Sequence, residues 1–75
     1  MAALPIHNTI RRLRFEHQEM NQQQLADLIG VTRQTVNAIE NGKYSPSLEV
    51  AFRIAAVFGV PLEQVFQYVP DKVTD

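Results

Sequence analysis

Arg33, Gln34 and Asn37 lie close together in the chain, directly after Thr32. Each ends in a flat group that can form two hydrogen bonds at once. The arginine fork donates twice and matches the O6 and N7 acceptors of guanine, with ~1–3 kcal/mol of discrimination. A side-chain amide has one donor and one acceptor and matches adenine N6 and N7. This is the chemistry of reading planar edges, not of making bonds. An arginine at a helix start costs energy, because a helix N-terminus already carries partial positive charge. That cost argues for a use outside the helix. Gln34 alone would be ordinary polar surface, but between Arg33 and Asn37 it joins an edge-reading set. Asn37 also suits a contact with water or a phosphate. Thr35 can bond a phosphate, touch a thymine methyl, or turn sideways toward the preceding helix.

No reactive constellation competes with this reading. The 75 residues contain no cysteine, which removes disulfides, thiolate metal sites and cysteine nucleophiles and fits a reducing cytosol. His7 and His17 have no helix-spaced carboxylate partner and read as surface or cap histidines, not as metal ligands. No Ser/His/Asp arrangement and no glycine-rich phosphate loop is legible. An enzyme, a metal, a cofactor and a small-molecule ligand are therefore not expected. No apolar run approaches the ~20 residues of a membrane span, and the first residues lack the pattern of a signal peptide. A cytoplasmic, membrane-free protein is expected.

The edge-reading residues need a helix to carry them and neighbours to hold that helix. Asn8 is a candidate N-cap for a first helix to about His17, with Ile10 and Leu13 on one face beside Arg14 and His17. Asn21 with Gln24 resembles a capping box opening a second helix to about Ile29, with Leu25, Leu28 and Ile29 turned inward. Gly30 supplies the positive φ that ends it. Thr32 caps the third helix. There Val36 and Ile39 share the buried side, and Arg33, Gln34, Asn37, Ala38 and Asn41 fall on the opposite arc. Ser47, or Ser45 before Pro46, caps a fourth helix from Leu48 to Phe58 with Ala51, Ile54, Ala55 and Phe58 as its stripe. Pro61 opens a short fifth helix to about Phe66. The expected architecture is one all-α domain of five short helices over residues 8–66, with an N-terminal arm at 1–7 and a C-terminal tail at 67–75. The tail is expected to be extended, and disordered near its end.

The net charge of −1 is unusual for a nucleic-acid binder. Its distribution is uneven. Arg11, Arg12, Arg14, Arg33 and Lys43 outnumber Glu16, Glu19, Asp27 and Glu40 by one in residues 1–46, while residues 47–75 are net −2. Few phosphate contacts per subunit are expected, hence two subunits for tight binding. Phe52, Phe58, Phe66, Tyr68, Val57, Val65 and Val69 exceed what five short helices need to bury. Phe58 and Phe66 are expected in the core, and Tyr68 and Val69 at a dimer interface.

The second and third helices, with Asn21-Gln22, Leu25-Ala26, Leu28-Ile29-Gly30-Val31, Thr32-Arg33-Gln34-Thr35-Val36 and Ile39-Glu40-Asn41-Gly42-Lys43, resemble the Cro/repressor-type helix-turn-helix regulators. So do Ser45-Pro46-Ser47-Leu48, Ile54-Ala55 and Phe58-Gly59-Val60, and the likeness spans about residues 8–66. It looks most like the short, stand-alone members. The resemblance implies a dimeric DNA-binding transcriptional regulator, a repressor reading a near-palindromic operator in double-stranded DNA. Arg33, Gln34 and Asn37 would face base edges, while Gln22, Thr32 and Asn41 would bond phosphates. Gln22 would also brace the start of the recognition helix. Thr35 and Lys43 are further phosphate candidates. Arg14 would pair with Glu40 and so fix the third helix against the first. Two residues depart from the pattern. Gln18 stands where relatives often have glycine, so the end of the first helix is expected to be distorted or longer, and Asn21 stands where many have threonine. The competing reading is a protein-interaction module, such as an antitoxin or adaptor, which the acidic second half favours.

Overall fold

In the computed structural model, which describes residues 5–69, the chain runs β1 (Ile6–Asn8), α1 (Ile10–Glu16), α2 (Gln22–Ile29), α3 (Arg33–Glu40), α4 (Leu48–Phe58), α5 (Leu62–Val65) and β2 (Phe66–Tyr68). The helix starts follow from local side-chain chemistry. Asn21 Oδ1 accepts from Gln24 N at 2.7 Å and Gln24 Oε1 accepts from Asn21 N at 2.8 Å, a complete capping box. Thr32 Oγ1 accepts from Thr35 N at 3.1 Å, and Ser47 Oγ accepts from Val50 N at 3.2 Å. Each cap satisfies one of the amides that a helix start leaves unpaired. Gly30 ends α2 with φ of 78°, in the left-handed region where a side chain would be strained.

The all-α expectation needs a correction. β1 and β2 form a two-stranded antiparallel sheet in which Ile6 faces Tyr68, His7 faces Gln67 and Asn8 faces Phe66. Hydrogen bonds from Thr9 N to Val65 O (2.9 Å) and from Val69 N to Pro5 O (2.7 Å) extend the pairing at both ends. The two ends of the described chain thus satisfy each other's backbone groups. Three-residue strands are too short to show alternation in the sequence. The first four residues of the arm, and the far end of the tail from Pro70 onward, lie outside the described residues.

Two local expectations also shift. Thr9, not Asn8, occupies the N-cap position of α1; Asn8 Oδ1 still accepts from Ile10 N at 3.1 Å, so it satisfies the first helical amide from one residue further back. α1 ends at Glu16 and is not longer than expected; Gln18 and Glu19 then take φ of 60° and 55°, both left-handed without being glycine.

The core joins Ile10 and Leu13 of α1, Leu25, Ala26 and Ile29 of α2, Val36 and Ile39 of α3, Ile54, Ala55 and Phe58 of α4, and Val65 of α5. Each large aliphatic in this set contributes about 1.5–3 kcal/mol by leaving water. Leu28, expected inside, is 60% exposed, and Ala26 takes the inward position instead. Phe58 is buried and Phe66 packs half-buried against the cluster, whereas Phe52 is exposed. Among the described residues, no helix is long and apolar enough to cross a membrane.

Candidate nucleic-acid interface

α3 is held by one face and offers the other. Val36 and Ile39 are almost fully buried, while Arg33, Gln34 and Asn37, and Asn41 just beyond the helix, are exposed. Ala38 is half-buried. The buried pair fixes the helix against the core, so the exposed side chains project from a rigid support.

Thr32 and Thr35 meet at the start of α3, with their hydroxyl oxygens 3.0 Å apart. One hydroxyl donates to the other, and the second proton remains free to point outward. Thr35 is half-buried and so is neither fully outward nor part of the core. At the other end, Lys43 is exposed, and its backbone N donates to Ala38 O at 2.9 Å. This bond fixes where the lysine leaves the surface.

The one acidic residue of α3 is Glu40, and its charge is not left open. Arg14 Nε donates to Glu40 Oε2 at 2.7 Å and Arg14 Nη2 donates to Oε1 at 3.0 Å. The pair is largely enclosed, with side-chain exposures of 14% and 7%. Arg14 Nη1 also donates to Met20 O at 2.8 Å, tying α3 to the α1–α2 turn. Such a two-point pair holds orientation better than a single contact. The outward face of α3 therefore carries Arg33 with no uncompensated carboxylate beside it.

Gln22, the first residue of α2, is drawn into the same network. Its Nε2 donates to Glu40 Oε1 and to Asn37 Oδ1, each at 3.2 Å. It therefore braces the middle and end of α3, not the start that the resemblance implied. The capping of α2 by Asn21 sets the first helical turn so that Gln22 faces α3.

Asn8 and Arg11 take positions that the sequence reading did not assign. Asn8 Nδ2 donates to Ile39 O at 3.0 Å and to Glu40 O at 3.4 Å. These are carbonyls of the last turn of α3, which a helix leaves without internal partners. The only sequence signal was an asparagine near a helix start, and that signal pointed to a local cap. Arg11, exposed on α1, lines a cleft of about 330 Å³ with Asn8, Arg14, Gln22, Asn37, Glu40 and Asn41. Tyr68 and Val69, 72% and 47% exposed, lie at the sheet, far along the chain from this surface. His17 stacks edge-on against Phe58 with ring centroids 4.9 Å apart, and His7 lies exposed on β1. No group of acidic, His or Cys side chains suited to a metal occurs among the described residues.

A helix-turn-helix family model matches residues 10–65. An uncharacterized HTH-type transcriptional regulator of Methanocaldococcus jannaschii is 48% identical over 65 residues, which is 87% of this chain and 97% of the relative. The cryptic phage CTXphi transcriptional repressor RstR of Vibrio cholerae is 41% identical over 56 residues; the match takes in 75% of this chain and 50% of the repressor. A Bacteroides fragilis protein known from its crystal structure superposes with a TM-score of 0.70 at 21% identity, covering 83% of this chain and 98% of that one, a likeness of fold.

Proposed function

The chain belongs to the Cro/repressor-type helix-turn-helix family of DNA-binding transcriptional regulators, and from that premise we propose a repressor that works as a homodimer on a near-palindromic operator. It is a regulator, not an enzyme. Each subunit lays α3 in a major groove, with the two half-sites about one turn, ~34 Å, apart. Arg33, Gln34 and Asn37 read base edges. Thr32, Thr35, Asn41 and Lys43 contact phosphates, and Arg11 adds a cation at the edge of the same surface; Gln22, expected among the phosphate contacts, gives both amide hydrogens to Glu40 and Asn37 and has none left for a phosphate. Arg14 and Glu40 hold α3 in register. Tyr68 and Val69 contribute to the contact between subunits. The setting is the cytoplasm.

The observation that carries this reading is the asymmetry of α3: Val36 and Ile39 at 1% and 2% exposure anchor it, and every polar side chain suited to base edges lies exposed on the other face. The weak net charge supports two subunits, because one subunit supplies few counterion-releasing contacts.

The test is selection of bound sequences from a random DNA pool, followed by two variants. Arg33→Ala is expected to keep helicity and melting temperature, lose roughly 1–3 kcal/mol of specific affinity per half-site, and relax preference at one position. Lys43→Ala is expected to weaken all sequences alike and flatten the salt slope by about one unit. If neither variant changes DNA binding, α3 does not enter a groove and the protein-interaction reading replaces this one.

A further inference from the structure

Asn37 is the residue of the α3 face whose hydrogen-bonding sense is decided inside the protein. Glu40, paired with Arg14, presents carboxylate oxygens that only accept. Gln22 faces one of them at 3.2 Å, so its amide must turn its NH2 end that way; the reverse setting would put oxygen against oxygen. The same NH2 group has a second hydrogen, and Asn37 answers it with Oδ1 at 3.2 Å. Turning Asn37 round would set two donors face to face. The senses of both amides are thus those the network requires, propagated outward from a fixed charge. Asn37 is left with one lone pair of its oxygen taken inward and its Nδ2 directed away from Gln22.

We infer, resting on the major-groove reading above, that Glu40 and Gln22 are positioning residues that present Asn37 to DNA chiefly as a donor. An NH2 group so held best suits the base whose major-groove edge presents two acceptors, guanine through O6 and N7; thymine O4 and adenine N7 each offer one. The two-bond amide pair with adenine, which needs the oxygen as well, competes with the bond from Gln22. Cytosine, which presents its N4 donor, is refused. Gln22 thereby acts on sequence preference without touching a base.

The experiment compares the full chain with Gln22→Met, Asn37→Ala and Asn37→Asp by selection from random DNA and by binding to single-base operator variants. Asn37→Ala identifies the position that Asn37 reads. At that position the unaltered protein is expected to favour guanine over adenine by about tenfold. Gln22→Met, which keeps length but removes the donor, is expected to bring adenine to within about threefold, with the Arg33 position unchanged. Asn37→Asp still accepts from Gln22 but turns an acceptor outward, and preference is expected to move to adenine or cytosine. A wild-type preference for adenine, an unchanged preference in Gln22→Met or in Asn37→Asp, or an Asn37→Ala that alters no position overturns the inference. Nitrogen-15 relaxation of the Asn37 side-chain amide in the free protein separates this failure from failure of the DNA reading. The amide is expected to be ordered in the wild type and averaged in Gln22→Met. If no DNA sequence is enriched while the amide behaves so, the groove reading fails and the positioning network stands. Equal mobility in both proteins overturns the network itself.

Discussion

Two arginines flank α2 and make the same pair of contacts in opposite settings. Arg14 joins Glu40 and donates to Met20 O in the turn before α2; Arg53 joins Glu49 and donates through Nη1 to Ile29 O, 3.1 Å away, at the turn after it. The first pair is largely enclosed, while Arg53 and Glu49 are 50% and 72% exposed. The first links residues far apart in the chain; the second is an i, i+4 pair within α4. The backbone of the two turns is also contrasted. The later turn uses Gly30 where φ is 78°, whereas the earlier one places Gln18 and Glu19 at 60° and 55°. The later turn therefore stands largely by its own backbone chemistry. The earlier one is strained locally and is held by a distant ion pair. A solvated pair adds little, while an enclosed pair is costly to break because the surviving charge stays buried.

The largest expected effect follows from that difference. Arg14→Ala leaves Glu40 enclosed without its cation and frees Met20 O, and is expected to lower stability by about 3 kcal/mol in chemical denaturation. Combining it with Glu40→Leu is expected to recover most of the loss; if it does not, the enclosed charge is not the cause. Gly30→Val comes next, at roughly 1–3 kcal/mol, because a β-branched residue is strained at that φ. Its Cβ would also lie 3.2 Å from Arg53 Nη1 and push that group off Ile29 O. An unchanged melting temperature would contradict the left-handed turn. Gln18→Gly is the converse change, expected to stabilise by about 0.5–1 kcal/mol through relief of left-handed strain, offset in part by a freer unfolded chain. A loss of stability on adding that glycine would mean the strain is compensated locally. Arg53→Ala is expected to cost least, ~0.5 kcal/mol, measured by the same denaturation. A loss approaching that of Arg14→Ala would erase the contrast.

Much of this arrangement was legible in the residues because it is local. Asn21 with Gln24, Thr32, Ser47 and Gly30 each act within a few positions of themselves, and the stripes of α3 and α4 follow helical spacing. What was not legible depends on partners far away or on size. Leu28 is the larger apolar residue, but Ala26 is the one enclosed by neighbouring helices, since a small side chain suits the closely packed side. The β1–β2 pairing depends on backbone groups, which side-chain types barely report. Gln22 was assigned to α3 by resemblance, but which part of α3 it meets depends on how the helices cross, and spacing carries no such information.

The sheet described above has a further consequence for the order in which the molecule is completed. Pairing Asn8 with Phe66 closes a loop that contains all five helices, and such closure is entropically dearer than any helix–helix contact made earlier along the chain. Asn8, on the strand that this closure secures, is also the residue that grips the final carbonyls of α3. α3 packs chiefly on α2, which precedes it in the chain. Its far end gains a fully tethered Asn8 only after Phe66–Tyr68 have been made. The finishing of the reading surface is thereby tied to the arrival of the strand that closes the fold.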